Sequence, residues 1–299
     1  MNKLIDFLAS KGIPCEENVD GRTLCSFRVG GNVRLVARPM NCEQIEALFN
    51  YLELHKIKNT VLGRGSNVVI SDEGYDGVIV SLSLLDGITV DGWNFDLVGA
   101  GTSMFTLATT AEKHGLTGLE FAHGIPGSVG GAIYMNAGAY GGEMSQVIRQ
   151  VICFDKRRGK LVDFDVSECD FSYRHSIFQE NENLIILFAK FELKCGDSAQ
   201  IRVTMNEYKA KRGASQPLEY PSAGSTFKRP EGYFAAKLID DAGLKGYTVG
   251  GAQVSEKHAG FVVNRGGATA KDIQELVEHI KKEVKDKFGV LLECEIEFI

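Results

Sequence analysis

Residues 121–144 read FAHGIPGSVGGAIYMNAGAYGGEM. Seven of these 24 residues are glycine, and only Glu143 and His123 can carry charge near neutral pH. Glycine loses more conformational freedom on folding than any other residue, so a cluster this dense needs a structural reason. The backbone must take up positive φ, or it must let another group come very close. Phe121, Ile125, Val129, Ile133, Tyr134 and Met135 are threaded between the glycines, so the stretch is no flexible linker. It reads as a buried backbone surface shaped to a ligand, with amides offered to an anion such as a pyrophosphate.

The rest of the chain has the composition of a globular protein. Its 299 residues suffice for two or three domains, or one large one. Apolar residues make up 44% and charged residues 24%, both ordinary values. The net charge is −6 and no basic block carries interleaved aromatics, which argues against nucleic acid as a partner. Cys15, Cys25, Cys42, Cys153, Cys169, Cys195 and Cys294 are scattered, without a C-x-x-C pair or a histidine cluster. Neither a disulfide framework nor a metal site is expected, and a reducing cytosol fits best. The N-terminal MNKLIDFLASKGIP is amphipathic, and no apolar run reaches the about 18 residues of a membrane span.

Hydrophobic spacing predicts a helix over 1–12, a strand over 32–39 and a helix capped by Asn41. Strands follow at 59–62, 67–71, 77–82 and 93–99, then a helix from Ser103 to His114 with Gly115 beyond its end. After the glycine-rich stretch come strands at 148–155, 160–165 and 184–194. Helices are predicted over 199–213 and Tyr233 to Asp241. Thr269 caps a longer one carrying Ile273, Leu276, Val277, Ile280 and Val284 at helical spacing. Val290 to Phe298 alternates with period two, which predicts a strand with Leu292, Cys294, Ile296 and Phe298 on one face. The mixture implies an α+β protein with a ligand domain in the middle and a smaller C-terminal domain.

Four segments could carry chemistry. Gly63-Arg64-Gly65-Ser66-Asn67 follows a strand, and its amides and the Ser66 hydroxyl suit a diphosphate, or simply a tight turn. It is neither a Walker A loop nor a Rossmann fingerprint. Paired with the second glycine cluster, it could close on one extended cofactor. Tyr173-Arg174-His175-Ser176 places an arginine fork where a carboxylate or phosphate would pair, unless it is a plain surface arginine. Ser222-Ala223-Gly224-Ser225-Thr226-Phe227-Lys228-Arg229-Pro230 crowds small residues around a serine that could donate a proton, hold an anion or serve a turn. No G-x-S-x-G accompanies it, so a hydrolase triad is unsupported. Glu293, Glu295 and Glu297 form an acidic strand face, from which one carboxyl turned into a cleft could act as acid or charge partner.

In combination and in this order, GRGSNVVI, GIPGSVGGAIYMNAGAYGGE, FSYRHSIF, AGSTFKRP, AAKLIDDAGLKG and LECEI resemble the UDP-N-acetylenolpyruvoylglucosamine reductases, the MurB flavoenzymes of bacterial cell-wall synthesis. The resemblance runs from about Thr23 to Glu295. It implies a two-lobed FAD-binding domain of the PCMH type, shared with vanillyl-alcohol oxidase, plus a smaller α+β substrate-binding domain. The corresponding division is 1–84 and 85–198 for the two lobes and 199–299 for the substrate domain. It implies that Gly63, Arg64, Gly65, Ser66 and Asn67 hold FAD on one wall. Gly124, Pro126, Gly127, Ser128, Gly130, Gly131, Ala132 and Asn136 would form the other. Some relatives attach flavin through a histidine in the first loop; none occurs in Gly63 to Asn67, so noncovalent FAD is expected.

The implied reaction is NADPH-dependent reduction of an enolpyruvyl ether of UDP-N-acetylglucosamine. Arg174 and Glu295 would hold the substrate carboxylate and its developing charge, which requires Glu295 to carry or share a proton. Ser225 would deliver a proton to the neighbouring carbon. Tyr173, Lys228, Arg229, Lys237 and Gln253 are the implied substrate-pocket residues. The short segment Gln179 to Asn183 marks a short-loop member, and Arg229 stands where other members have asparagine. Small molecules are the expected partners, with a monomer as the default. Two alternatives stand beside this one. An oxygen-using FAD oxidase explains both glycine regions but not Arg174, Ser225 and Glu295 in their motifs. A catalytically silent nucleotide-sugar binder would have no need of those three residues.

Overall fold

The largest sheet is built from segments whose apolar content matches their depth. The computed structural model describes residues 1–92 and 94–299. In it, five strands run in the order Lys160–Asp165, Ile148–Asp155, Leu184–Glu192, Asn94–Gly99, Ile88–Asp91, and every neighbouring pair is antiparallel. The central strand LIILFAKFE is buried along most of its length. At one edge, Lys160, Asp163 and Asp165 are exposed while Val162 and Phe164 are half-buried. A charged edge of this kind resists pairing with another chain. A four-stranded sheet takes the order Cys15–Asp20, Asn32–Ala37, Tyr75–Ser81, Asn59–Leu62.

Strands form residue for residue as expected at 59–62, 148–155 and 160–165. The strand expected at 93–99 spans Asn94–Gly99, and Trp93 lies outside the described residues. The helix caps hold as well. Asn41 accepts from the Gln44 amide at 2.9 Å as expected; Ser103, expected as the first residue of its helix, instead caps Met104–Lys113 by accepting from the Thr106 amide at 2.9 Å. Thr269 and Asp272 form a reciprocal capping box, with bonds of 2.9 and 3.0 Å, at the start of helix Ala270–Phe288.

By contact the chain divides into two compact units. The first comprises Met1–Glu17, Leu35–Arg64 and Gly77–Ala210; the second comprises Asn18–Arg34, Gly65–Asp76 and Lys211–Ile299. This grouping follows contacts in space, whereas the division at 84 and 198 follows the chain. The first unit is centred on fully buried Phe49, Phe95, Phe154, Phe178 and Phe191. In the second, the helix Ala270–Phe288 buries Ile273, Leu276, Val277, Ile280 and Val284. Each such side chain contributes about 2 kcal/mol. A three-stranded antiparallel sheet, Thr248–Val249, Ala252–Val254 and Val262–Asn264, completes that unit.

The last segment departs from its period-two pattern. Among the described residues, only Glu297–Phe298 of 290–298 forms a strand, parallel to Val68–Val69. Cys294 instead makes an isolated bridge to Phe227. The chain bends at Ile296 as it passes from one partner to the other. Leu292 and Ile296 are buried as the alternation predicts, but Phe298 is 43% exposed. The strand expected at 67–71 is likewise reduced to Val68–Val69. The helix expected from Tyr233 starts at Ala235, with Tyr233 and Phe234 exposed ahead of it.

Candidate active site

In the first unit, the glycines of 121–144 answer to different demands. A Cβ on Gly138 would lie 2.6 Å from the Gly142 carbonyl oxygen, and one on Gly142 would lie 2.5 Å from the Phe121 ring. These two are glycine because the protein's own hairpin and ring leave no room. Gly131 differs. It sits exposed in the helix Val129–Tyr134, and its Cβ would meet nothing nearer than Ser128 Oγ at 3.6 Å. Glycine inside a helix costs about 1 kcal/mol relative to alanine, and no close contact within the protein accounts for it here. The end of strand Asn59–Leu62 reaches this wall, because a Cβ on Gly63 would collide with Ser128 Oγ.

The amides expected to face an anion are largely engaged within the protein. Val129 N–H donates to Thr102 O, Gly130 N–H to Ala100 O and Ala132 N–H to Ser128 O, each at 2.9 Å. Gly131 N–H has a long 3.5 Å bond to Ser128 Oγ. The wall therefore offers shape more than free donors. Asn136, fully buried at φ +41°, is also committed. Its Nδ2 donates to Glu143 (3.2 Å) and to the Ser172 carbonyl (2.9 Å), and its Oδ1 accepts from the Ser145 amide at 3.0 Å.

That last network leads to Arg174. Ser172 and His175 exchange backbone bonds of 3.2 Å and close a two-residue turn with Tyr173 and Arg174 at its tip. Arg174 has φ +56°, a left-handed conformation that non-glycine residues adopt only when the surroundings impose it. Its Nη2 donates to the Gly138 carbonyl at 3.1 Å, and its guanidinium carbon lies 5.0 Å from the Tyr173 ring centre. The wall thus aims the arginine. His175 turns away, with Nδ1 at 3.0 Å from the Asp170 carbonyl and Nε2 at 3.0 Å from Glu180. Asp170, His175 and Glu180 bring three ligand atoms within 4.8 Å of one another, with both acids exposed. At the start of the wall, burial first and then Lys209 hold the His123 imidazole below its ordinary value.

In the second unit, two extended segments cross. Lys228 N–H donates to Glu293 O at 2.9 Å and Glu295 N–H donates to Thr226 O at 2.8 Å. Ser225 and Glu295 are thereby carried on neighbouring backbones. Gly224, at φ +78°, turns the chain just before Ser225, and Ser26 Oγ fixes Ser222 O at 2.6 Å. Ser225 is exposed, while Thr226 and Phe227 behind it are buried. The first glycine loop joins this crossing, because Asn67 Nδ2 donates to the carbonyl of Glu295 at 2.9 Å and Glu297 N–H donates to Asn67 O at 2.9 Å. Gly65 is held beside Leu24, whose carbonyl would collide with a Cβ there.

Several expected pocket residues are held by near neighbours. Lys237 pairs with both oxygens of Asp241 at 2.8 Å, one helical turn away, which holds its ammonium above the ordinary value. Lys228 pairs with Glu293 at 2.6 Å. Gln253 donates to the Gly246 carbonyl (3.2 Å) and Thr248 Oγ1 (3.0 Å). The Arg229 guanidinium carbon stacks 4.6 Å from the Phe234 ring centre. Cys294, beside Glu295, has its thiol pushed up by burial and is no candidate nucleophile. Inspection of the sequence passed over Asp72, whose carboxylate accepts from the Ala270 and Lys271 amides at 2.8 and 2.9 Å. Gln179, which opens the polar segment Gln179 to Asn183, stands in no motif that marks a role for it.

Comparison with known proteins decides the family. The model of the UDP-N-acetylenolpyruvoylglucosamine reductase C-terminal domain matches residues 216–299, and that of an FAD binding domain matches residues 33–165. The UDP-N-acetylenolpyruvoylglucosamine reductase of Clostridium novyi is 46% identical over 100% of this chain and 96% of its own. That of Caldanaerobacter subterraneus is 48% identical over 92% of this chain and 90% of its own. The chain belongs to the UDP-N-acetylenolpyruvoylglucosamine reductase family. The crystal structure of the MurB of Thermus caldophilus agrees, with a TM-score of 0.81 and 33% identity, covering 96% of this chain and 99% of that one. An alkyldihydroxyacetonephosphate synthase, 14% identical with a TM-score of 0.50 over 65% of this chain and 41% of its own, shares the fold alone.

The MurB-family chain is therefore an FAD-dependent oxidoreductase with a PCMH-type FAD-binding domain and a smaller α+β domain. It acts on small molecules, and among the described residues no helix is long and apolar enough to cross a membrane. The residues present fit FAD. Gly131 leaves helix surface open where alanine would be the better helix former, and no acidic or basic residue occurs from 124 to 142.

Proposed function

We propose that this chain reduces UDP-N-acetylglucosamine enolpyruvate to UDP-N-acetylmuramate, with NADPH as hydride donor and FAD held noncovalently. The setting is cytoplasmic synthesis of peptidoglycan precursors. FAD, when bound, supplies the two-electron relay between NADPH and the enolpyruvyl double bond. The observation that carries this reading is the crossing of 226–228 with 293–295, where Asn67 of the first glycine loop bonds the Glu295 carbonyl. One short piece of backbone thus links a cofactor loop, the Glu295 carboxyl and the Ser225 hydroxyl.

In this reading Arg174 and Glu295 hold the substrate carboxylate as charge develops on it. Ser225, exposed beside the buried Thr226, protonates the carbon next to the carboxylate. Gly63 to Asn67 form one FAD wall. Gly124, Pro126, Gly127, Ser128, Gly130, Gly131 and Ala132 form the other, and Asn136 shapes it from behind. The absence of histidine from 63 to 67 supports noncovalent attachment. Tyr173, Lys228, Arg229, Lys237 and Gln253 belong to the substrate pocket. Lys237 exchanges Asp241 for a diphosphate oxygen at little cost, since exposed ion pairs are weak, and Lys228 exchanges Glu293 in the same way.

Acid precipitation of the purified protein tests the cofactor half: FAD should appear intact in the supernatant. Incubation with NADPH and the enolpyruvyl nucleotide tests the other half, and the lactyl ether should form in step with NADPH oxidation. Flavin left in the pellet, or NADPH consumed without lactyl ether, would contradict the proposal.

A further inference from the structure

We infer that Gln179 is a positioning residue for Arg174, its side-chain amide fixing the left-handed backbone from which the guanidinium is aimed. The inference rests on the proposed role of Arg174 as the group that holds the substrate carboxylate. Gln179 lies in the single helical turn Ile177–Glu180, five residues after Arg174. Its Nε2 donates to two carbonyls, Tyr134 O at 2.7 Å and Arg174 O at 3.1 Å. Tyr134 ends the helix Val129–Tyr134 of the glycine-rich wall, so this one amide bridges wall and turn.

The left-handed region is sterically unfavourable for a non-glycine residue, so Arg174 stays at φ +56° only while neighbouring groups hold it there. The turn is fastened at other points as well. Asn136 Nδ2 donates to Ser172 O at 2.9 Å, Ser176 Oγ donates to Tyr134 O at 2.7 Å, and Ser172 pairs with His175. These fix the ends of the turn. Gln179 reaches the carbonyl of Arg174 itself, whose direction sets ψ and hence where the side chain leaves the backbone. At its tip the guanidinium donates to Gly138 O at 3.1 Å and lies 5.0 Å from the Tyr173 ring centre. A displacement of about 1 Å at a reacting centre can cost about 10²-fold in rate.

The chemistry of the contact dictates the test. Two carbonyl acceptors demand a group with at least two N–H donors. An amide or an ammonium meets that demand, and a carboxylate of the same shape does not. With the FAD-loaded enzyme, reduction by NADPH and reoxidation by the enolpyruvyl nucleotide are measured separately under anaerobic stopped flow. In Gln179→Glu, reoxidation should slow by about 10–10²-fold, while reduction by NADPH stays within about twofold. Gln179→Lys should retain reoxidation within a few-fold, and Gln179→Leu, which keeps the volume, stands in should the glutamate variant fail to fold. The inference is overturned if reoxidation is unchanged in the glutamate and leucine variants, if both half-reactions slow equally, or if the lysine variant is as slow as the glutamate one. Arg174→Lys is run in parallel. If it too leaves reoxidation unchanged, the proposed role of Arg174 fails. If it slows reoxidation while the Gln179 variants do not, only the positioning role fails.

Discussion

Residues 121–144 use glycine so that backbone can lie against backbone and ring. Residues 225–228 and 293–295, by contrast, hold their candidate chemistry on two ordinary extended segments. In the first region the unusual composition is explained mostly by the fold, as at Gly138 and Gly142, while a Cβ on Gly131 would meet no close neighbour. In the second, composition is unremarkable, and what matters is that backbone bonds from Lys228 and Glu295 bring two distant stretches together. Conspicuous sequence therefore marks where the chain is tightly shaped. Reactive groups are marked only by what the fold brings to them.

The two regions should respond differently to substitution. Ser225→Ala should give the largest effect, slowing reoxidation by substrate by about 10²–10⁴-fold, because the lost group acts only in that step. Anaerobic stopped flow should find reduction by NADPH nearly intact, and equal slowing of both half-reactions would remove Ser225 from proton delivery. In the glycine-rich region Gly138→Ala should lower stability by about 1–3 kcal/mol, read by denaturant unfolding. Gly131→Ala should leave stability unchanged or raise it by up to about 1 kcal/mol while weakening FAD retention on dilution. If Gly131→Ala kept its FAD, the helix face would be no cofactor wall.

Two smaller effects concern the frame of the second region. Thr269→Ala breaks the capping box of the long helix and should cost about 1 kcal/mol by denaturant unfolding. Burial holds the His258 imidazole below its ordinary value. Its Nδ1 accepts from the Gly260 amide at 3.2 Å, and Gly260 O accepts from Thr226 beside Ser225. Because the folded value is the lower one, this stabilisation is present above the unfolded imidazole value and is lost as pH falls through the folded one. The melting temperature should therefore fall less steeply with acidification in His258→Gln than in the parent chain.

Much of the fold was legible in local pattern. Asn41 and Thr269 cap the helices they precede, and the hairpin 148–165 forms with its expected ends. These features depend on residues a few positions apart. The C-terminal segment was misread because alternation records burial and not the partner. Residues 290–298 alternate across a bend at Ile296 that separates the contact with Phe227 from the pairing with Val68–Val69. Site residues show the same limit. The Lys237–Asp241 pair was visible as an i,i+4 spacing. The bond from Asn67 to Glu295 spans 228 positions and follows only from the fold.

The most direct test of the account is anaerobic. Enzyme reduced with one equivalent of NADPH is mixed with UDP-N-acetylglucosamine enolpyruvate and followed by flavin absorbance. The account predicts full reoxidation without oxygen, with one lactyl ether formed per flavin reoxidised. Reduced flavin that persists with the nucleotide and reoxidises only when air is admitted would contradict it, and would favour an oxygen-using oxidase on the same fold.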